Sequence, residues 1–309
     1  MSTESIAVLQ VAPRGDRFLS RLGAAADYWA LTKPEVNLLI AITTITGFCL
    51  GRPPGSPFPI TALFHTVLGT LLVAGGTGTL NQVVEQRFDA EMRRTKRRPV
   101  ASGRVRRAHA LWFGTVLSLA GALYLWLATN IFASAIAILT LLSYLLIYTP
   151  LKRMTPFCTL AGAFPGAAPP LIGWAAASGR LNAEAWVLYA ILFLWQFPHF
   201  MAIAWMYRRD YVRAGYLVLP NLGRARRKFM TSQLMLPSIA LLIMSFVPKA
   251  LGFAGSLYMN GALLLSFAFV FFSTELVLEK TNAAARRLLM ASIVYLPLMF
   301  FLMVIDKFV

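Results

Sequence analysis

Charge is what this sequence has too little of. Asp, Glu, Lys and Arg make up 13% of its 309 residues, about half of the ~25% usual in soluble globular proteins. Acidic side chains are the scarcest, 12 against 29 Lys and Arg, and there are three histidines. Cysteine is nearly missing. Cys49 and Cys158 both lie in apolar stretches, so neither a disulfide framework nor a cysteine metal site is encoded. The same composition excludes disorder and a coiled coil. Apolar residues fill the gap: they make up 58% of the chain, and mean hydropathy is +0.65. Such a chain is a polytopic membrane protein, and in lipid its apolar runs must be helices that satisfy their own backbone.

The net charge of +17 would suggest nucleic-acid binding in a soluble protein. In a membrane chain it is explained by Lys and Arg gathered in cytoplasmic loops, so no nucleic-acid partner is expected. The apolar stretch Ser5–Pro13 is short, and Arg14, Arg17 and Arg21 follow it rather than precede it. That order does not fit a cleaved signal peptide.

Nine stretches are long enough to cross a bilayer: 35–51, 60–84, 109–128, 131–150, 158–178, 184–206, 231–250, 253–274 and 288–306. The sequence therefore predicts an all-α protein of nine transmembrane helices, with a cytoplasmic tail over 1–30 and one membrane domain over 31–309. With the N-terminus cytoplasmic, 25 of the 29 basic residues fall inside, leaving Arg52, Arg180, Lys249 and Lys307 outside. This asymmetry favours N-terminus inside, C-terminus outside, and the expected location is a bacterial plasma membrane. The two longest loops, 85–108 and 207–230, then share the cytoplasmic side.

The stretch N-Q-V-V-E-Q-R-F-D-A-E-M-R-R-T-K-R-R-P starts at Asn81, at the cytoplasmic end of the second span, and runs into the 85–108 loop. Asn81, Glu85 and Asp89 are spaced by four residues, about 400° of helix, so they drift by only ~40° per step and share a face. An amide and two carboxylates are hard oxygen ligands suited to Mg²⁺, whose octahedron is usually completed by water and phosphate oxygens. Arg93, Arg94, Lys96, Arg97 and Arg98 follow, and guanidinium forks match phosphate oxygens. The pattern reads either as a metal–diphosphate site or as a solvated polar face beside a topology signal. A second constellation, W-Q-F-P-H-F from Trp195, places Gln196, Pro198 and His199 inside an apolar run, where polar groups need a cavity or a partner. Gln196 and His199 lie three apart, on one helix face. His199 could ligate iron, act as a base or only hydrogen-bond. Arg208 and Asp210 follow. The fourth span closes with Y-T-P-L-K-R, where Lys152 and Arg153 either reach anionic groups or mark the boundary.

Taken together these segments resemble the UbiA-type intramembrane prenyltransferases. The resemblance runs from Leu31-Thr-Lys33-Pro34 to the last span, with A-S-G-R at 101–104 and R-D-Y-V-R-A-G from Arg209 among its specific parts. Where many family members carry an Asp-rich second motif, this chain has Gln196 and His199, which is similar to the heme-modifying branch. Glu85 stands where many relatives have Asp. The resemblance implies a helical ring around a central cavity near the cytoplasmic face, with farnesyl diphosphate and heme B as substrates and Mg²⁺ as cofactor. It implies Asn81, Glu85 and Asp89 as catalytic Mg²⁺ ligands and His199 as a catalytic group. Arg93, Arg94, Lys96, Arg97, Lys152 and Arg153 would bind diphosphate, and Gln196, His199, Arg208 and Asp210 would bind heme. A heme A synthase would receive the product. A sibling that prenylates an aromatic quinone precursor, a transporter and a non-catalytic heme chaperone are the rival readings.

Overall fold

The computed structural model describes residues 14–308 except 54, 56 and 220–222. The Ser5–Pro13 stretch lies outside the described residues. Among these residues the chain is all-helical. In order, the helices are α1 (Arg14–Leu31), α2 (Pro34–Gly51), α3 (Ile60–Val84), α4 (Gln86–Glu91), α5 (Arg107–Ala128) and α6 (Ile131–Ser143). A π-helical turn (Tyr144–Tyr148) leads into α7 (Thr149–Leu151), α8 (Cys158–Gly166) and α9 (Pro169–Ser178). Then come α10 (Ala183–Met206), α11 (Arg208–Arg213), α12 (Gly223–Met244), α13 (Val247–Ala250), α14 (Ser256–Glu279) and α15 (Asn282–Phe308).

Eight segments of described residues are long and apolar enough to span a membrane. The expected fifth span, 158–178, is not one of them, because it is broken into α8 and α9 around Ala167 and Ala168. The break has a local cause. Pro169 has no N–H to give to the carbonyl four residues back, and Pro170 repeats the defect, so a new helix starts with prolines in its first turn. The region expected as a tail is partly helical, since α1 occupies Arg14–Leu31. Asn130 caps α6 by accepting from the Ala133 N–H at 3.0 Å.

Close helix contacts fix the arrangement. A Cβ on Gly47 of α2 would strike the Pro170 carbonyl of α9, and one on Gly173 would strike the Thr44 carbonyl. Small residues thus let two backbones touch, a packing device favoured in lipid, where apolar surface gains nothing by leaving its surroundings. Polar side chains inside the bundle are satisfied locally or across helices. Thr66, Thr70 and Thr79 hydroxyls donate to carbonyls one turn back, and Ser238–Ser273 and Ser266–Tyr295 pair across helices at 2.9 and 3.0 Å. Large apolar side chains such as Trp112, Leu127, Leu264 and Leu278 are more than two-thirds exposed, which is a lipid-facing surface rather than a water-facing one.

The last helix closes the bundle. Lys307 Nζ donates to the carbonyls of Cys49 (3.3 Å), Leu50 (2.7 Å) and Arg52 (3.0 Å), the orphan acceptors at the end of α2. Its neighbour Asp306 accepts from the N–H groups of Gly255 and Tyr258 at the start of α14. The C-terminal end of α15 therefore sits beside the end of α2, opposite the end at which Lys33 introduces α2.

Candidate active site

Lys33 precedes Pro34 in a left-handed conformation (φ 55°), which turns the chain sharply into α2. The turn aims its ammonium at the end of α3, where Nζ donates to Asn81 Oδ1 at 2.6 Å. Asn81 Nδ2 reaches Thr149 Oγ1 at 3.5 Å. The ladder expected on one continuous helix is interrupted at Glu85 (φ −90°, ψ 5°), where α3 stops and α4 begins. Its register survives, because Glu85 N donates to Asn81 O (2.9 Å) and Asp89 N donates to Glu85 O (2.8 Å). Asn81, Glu85 and Asp89 are all buried, at 1%, 5% and 1% exposure, which contradicts a solvated polar face.

Each member of the ladder is engaged by a cation from a different part of the chain. Asp89 accepts from Arg98 Nη1 at 2.9 and 2.8 Å. Glu85 accepts from Lys152 Nζ at 2.8 Å, and Asn81 accepts from Lys33. Burial alone would raise the Glu85 carboxyl, but the contacting Lys152 ammonium outweighs it and holds Glu85 below the usual range. Burial, with Arg98 next, brings Lys33 down to about 7. The π-helical turn supplies the seat for Lys152. It sets the Tyr144 and Tyr148 rings 5.1 Å apart, and the ammonium lies 4.4 Å from the Tyr148 ring centre.

The second loop covers this cluster. Leu217 N donates to Lys152 O at 2.8 Å, and Met92, Ala214 and Tyr216 form a small apolar core with Phe88 and Tyr211 at its edge. Tyr216 is buried, with its hydroxyl against the Glu85 carboxylate. The residue pattern assigns no site role to Lys33 or Tyr216. Lys33 looks like a charge marking the start of a span, and Tyr216 like one aromatic among many.

Other residues picked out in the sequence are placed differently. Arg93, Arg94, Lys96 and Arg97 are exposed, and the ion pairs to the ladder come from Arg98 and Lys152 instead. Arg94 lies over the Tyr207 ring, 5.3 Å from its centre. Arg153 lies over the Phe88 ring at 4.4 Å. Gln196 and His199 do not meet a common partner. Gln196 Nε2 donates to Ala163 O (3.1 Å) and Leu192 O (3.2 Å), tying α10 to the broken span, whereas His199 Nδ1 lies 2.7 Å from Ser292 Oγ on α15. Arg208 donates to Trp205 O and Asn282 Oδ1, and the buried Asp210 faces Arg213 at 3.5 Å.

The donor set fits a magnesium ion. Among the described residues no group of three His, Cys, Asp or Glu could hold a metal. Two carboxylates and one amide, ringed by cations that could take up phosphate oxygens, match an ion that leaves much of its coordination to water and substrate.

Fold and site define a polytopic helical membrane protein with a buried oxygen-ligand ladder and a ring of cations at one end of the bundle. The sequence profile of the UbiA prenyltransferase family matches residues 40–304, and the chain belongs to that family. A protoheme IX farnesyltransferase of Solibacter usitatus is 46% identical over 288 residues, covering 91% of this chain and 98% of its own. Solved structures share the fold at low identity. A digeranylgeranylglyceryl phosphate synthase matches with TM-score 0.73 and 17% identity, over 92% of this chain and 98% of its own. A UbiA homolog from Archaeoglobus fulgidus, bound to GPP and Mg²⁺, matches with TM-score 0.63 and 14% identity, over 90% and 99%.

Proposed function

We propose that this protein transfers the farnesyl group of farnesyl diphosphate to a vinyl group of heme B, giving heme O and diphosphate. The observation that carries this reading is the likeness to the Solibacter protoheme IX farnesyltransferase along almost the whole of both chains. In the reaction the allylic C–O bond of farnesyl diphosphate breaks and a bond forms from the vinyl carbon to the farnesyl carbon. One water adds to the resulting cation and loses a proton, so heme B, farnesyl diphosphate and water balance heme O and diphosphate.

Asn81, Glu85 and Asp89 would hold Mg²⁺. A bound Mg²⁺ neutralises charge on the leaving diphosphate. Lys33, Arg98 and Lys152 are placed to pass from the ladder to the diphosphate oxygens, where positive charge favours departure of the leaving group. Lys152 is held ready on its tyrosine seat. The exposed Arg93, Arg94, Lys96 and Arg97 form an outer basic rim that attracts the polyanion before it enters. Apolar helix walls keep water from the allylic cation until the new carbon–carbon bond has formed. His199 takes the heme iron, and Arg153 and Arg208 receive the propionates. The bundle lies with its N-terminus and this site on the cytoplasmic side of a bacterial plasma membrane, and its apolar product passes to a heme A synthase.

Product analysis tests the reading. Purified protein given heme B, farnesyl diphosphate and Mg²⁺ should form hydroxyethylfarnesyl heme, detected by mass spectrometry. The product should vanish with EDTA and fall at least a hundredfold in Asp89→Ala. Prenylation of an aromatic acid in place of heme would overturn the acceptor, and full activity of Asp89→Ala would overturn the metal site.

A further inference from the structure

Ser292 has no place in the site described above, yet it lies at the centre of a closed set of contacts around His199. It is fully buried on α15. Its Oγ is 2.7 Å from His199 Nδ1 and 2.6 Å from the Leu289 carbonyl. A carbonyl can only accept, and a hydroxyl has one proton. That proton goes to Leu289, so Ser292 Oγ is left as an acceptor and His199 Nδ1 must carry the hydrogen. The other ring nitrogen, Nε2, then holds the free lone pair, and it makes no hydrogen bond among the described residues. Trp195 fixes the ring plane. Its indole stacks on the imidazole at 4.6 Å with 22° between planes, and its Nε1 donates to the Ser292 carbonyl at 2.9 Å. One residue thus sets the tautomer, and a second, anchored to the first, sets the orientation.

We infer that Ser292 is a positioning residue that holds His199 with Nδ1 protonated and the Nε2 lone pair free to ligate the iron of the heme acceptor. The inference rests on the proposed heme acceptor and goes beyond it by naming what prepares the ligand. A histidine that binds a metal through one nitrogen usually donates its other N–H to a fixed acceptor, which selects the tautomer and makes the ligand more basic. Removing such an acceptor typically weakens metal binding about 10–100-fold.

Titration of the purified full-length chain with ferric heme B, followed by absorption, with resonance Raman spectra of the dithionite-reduced ferrous complex, tests this. Wild type should show a histidine-ligated spectrum that His199→Ala loses. Ser292→Ala should bind heme about tenfold or more weakly, with a shifted iron–histidine band, while melting near wild type. Ser292→Thr, which keeps the hydroxyl, should restore affinity and band position. In the His199→Ala background, Ser292→Ala should change heme affinity less than about twofold, because its effect passes through the imidazole. An unchanged affinity and band in Ser292→Ala, or an equal loss in both backgrounds, would overturn the role of Ser292. A wild-type spectrum in His199→Ala would instead overturn His199 as the ligand, and absence of heme binding by wild type would overturn the acceptor.

Discussion

At the scale of single residues, the Glu85–Lys152 pair is the most consequential contact in the site. Both side chains are largely withdrawn from solvent, at 7% and 13% exposure, with 2.8 Å between charged atoms. Removing one partner of a buried pair leaves the other charge uncompensated, at a cost of about 3–5 kcal/mol. Lys152→Met should therefore lower the melting temperature in detergent and raise the KM for farnesyl diphosphate. Adding Glu85→Gln to that variant should recover most of the stability and none of the activity. A double variant no more stable than Lys152→Met would show that the loss came from packing on the two tyrosines. At this scale the sequence disclosed residue types and spacing, which is why Asn81, Glu85 and Asp89 could be found. It did not disclose which cations would meet them. Arg98 was one basic residue in a run, and its neighbours Arg93, Arg94, Lys96 and Arg97 are exposed instead. Lys33 reaches Asn81 from 48 positions away, a distance that no local pattern encodes.

Among elements, the contact of α2 with α9 depends on absent side chains. A Cβ at Gly173 would fall against the Thr44 carbonyl and the Phe48 N–H group of α2. Backbone cannot swing away as a flexible side chain can. Gly173→Leu should therefore cost more than the ~1–3 kcal/mol typical of overpacking, read as a lower melting temperature or loss of the folded monodisperse peak on size exclusion. Gly179→Ala makes a useful contrast, because nothing lies within 4 Å of a Cβ there. Its penalty is confined to the positive φ of 69° at the end of α9 and should be about 1 kcal/mol. Pro169 and Pro170 break the expected fifth span. The break places Ala163 and Gly166 against the Gln196 amide, a use for Gln196 that its position in an apolar run could not reveal.

For the whole molecule, charge asymmetry and tertiary contacts give the same relative arrangement. Lys33, Glu85 and Lys152 meet at one end of the bundle, and Lys307 meets Arg52 at the end of α2. From the basic loops we propose that the first end is cytoplasmic. A periplasm-dependent enzyme reporter fused after Val309 should be active, and the same reporter inserted in the 85–108 loop should be silent. The reverse pattern would invert the proposed topology.

Sequence by itself determined the solvent, the helical class, the turns and the kind of chemistry. Each follows from local rules: apolar length against bilayer thickness, proline without a donor, oxygen ligands one helical turn apart. Only the tertiary structure decided which cation faces which ligand, that the ladder is buried, and that His199 turns toward Ser292, 93 positions along the chain. Those outcomes depend on how helices distant in sequence pack, and packing is set by the shapes of all the contacting faces together rather than by any one segment.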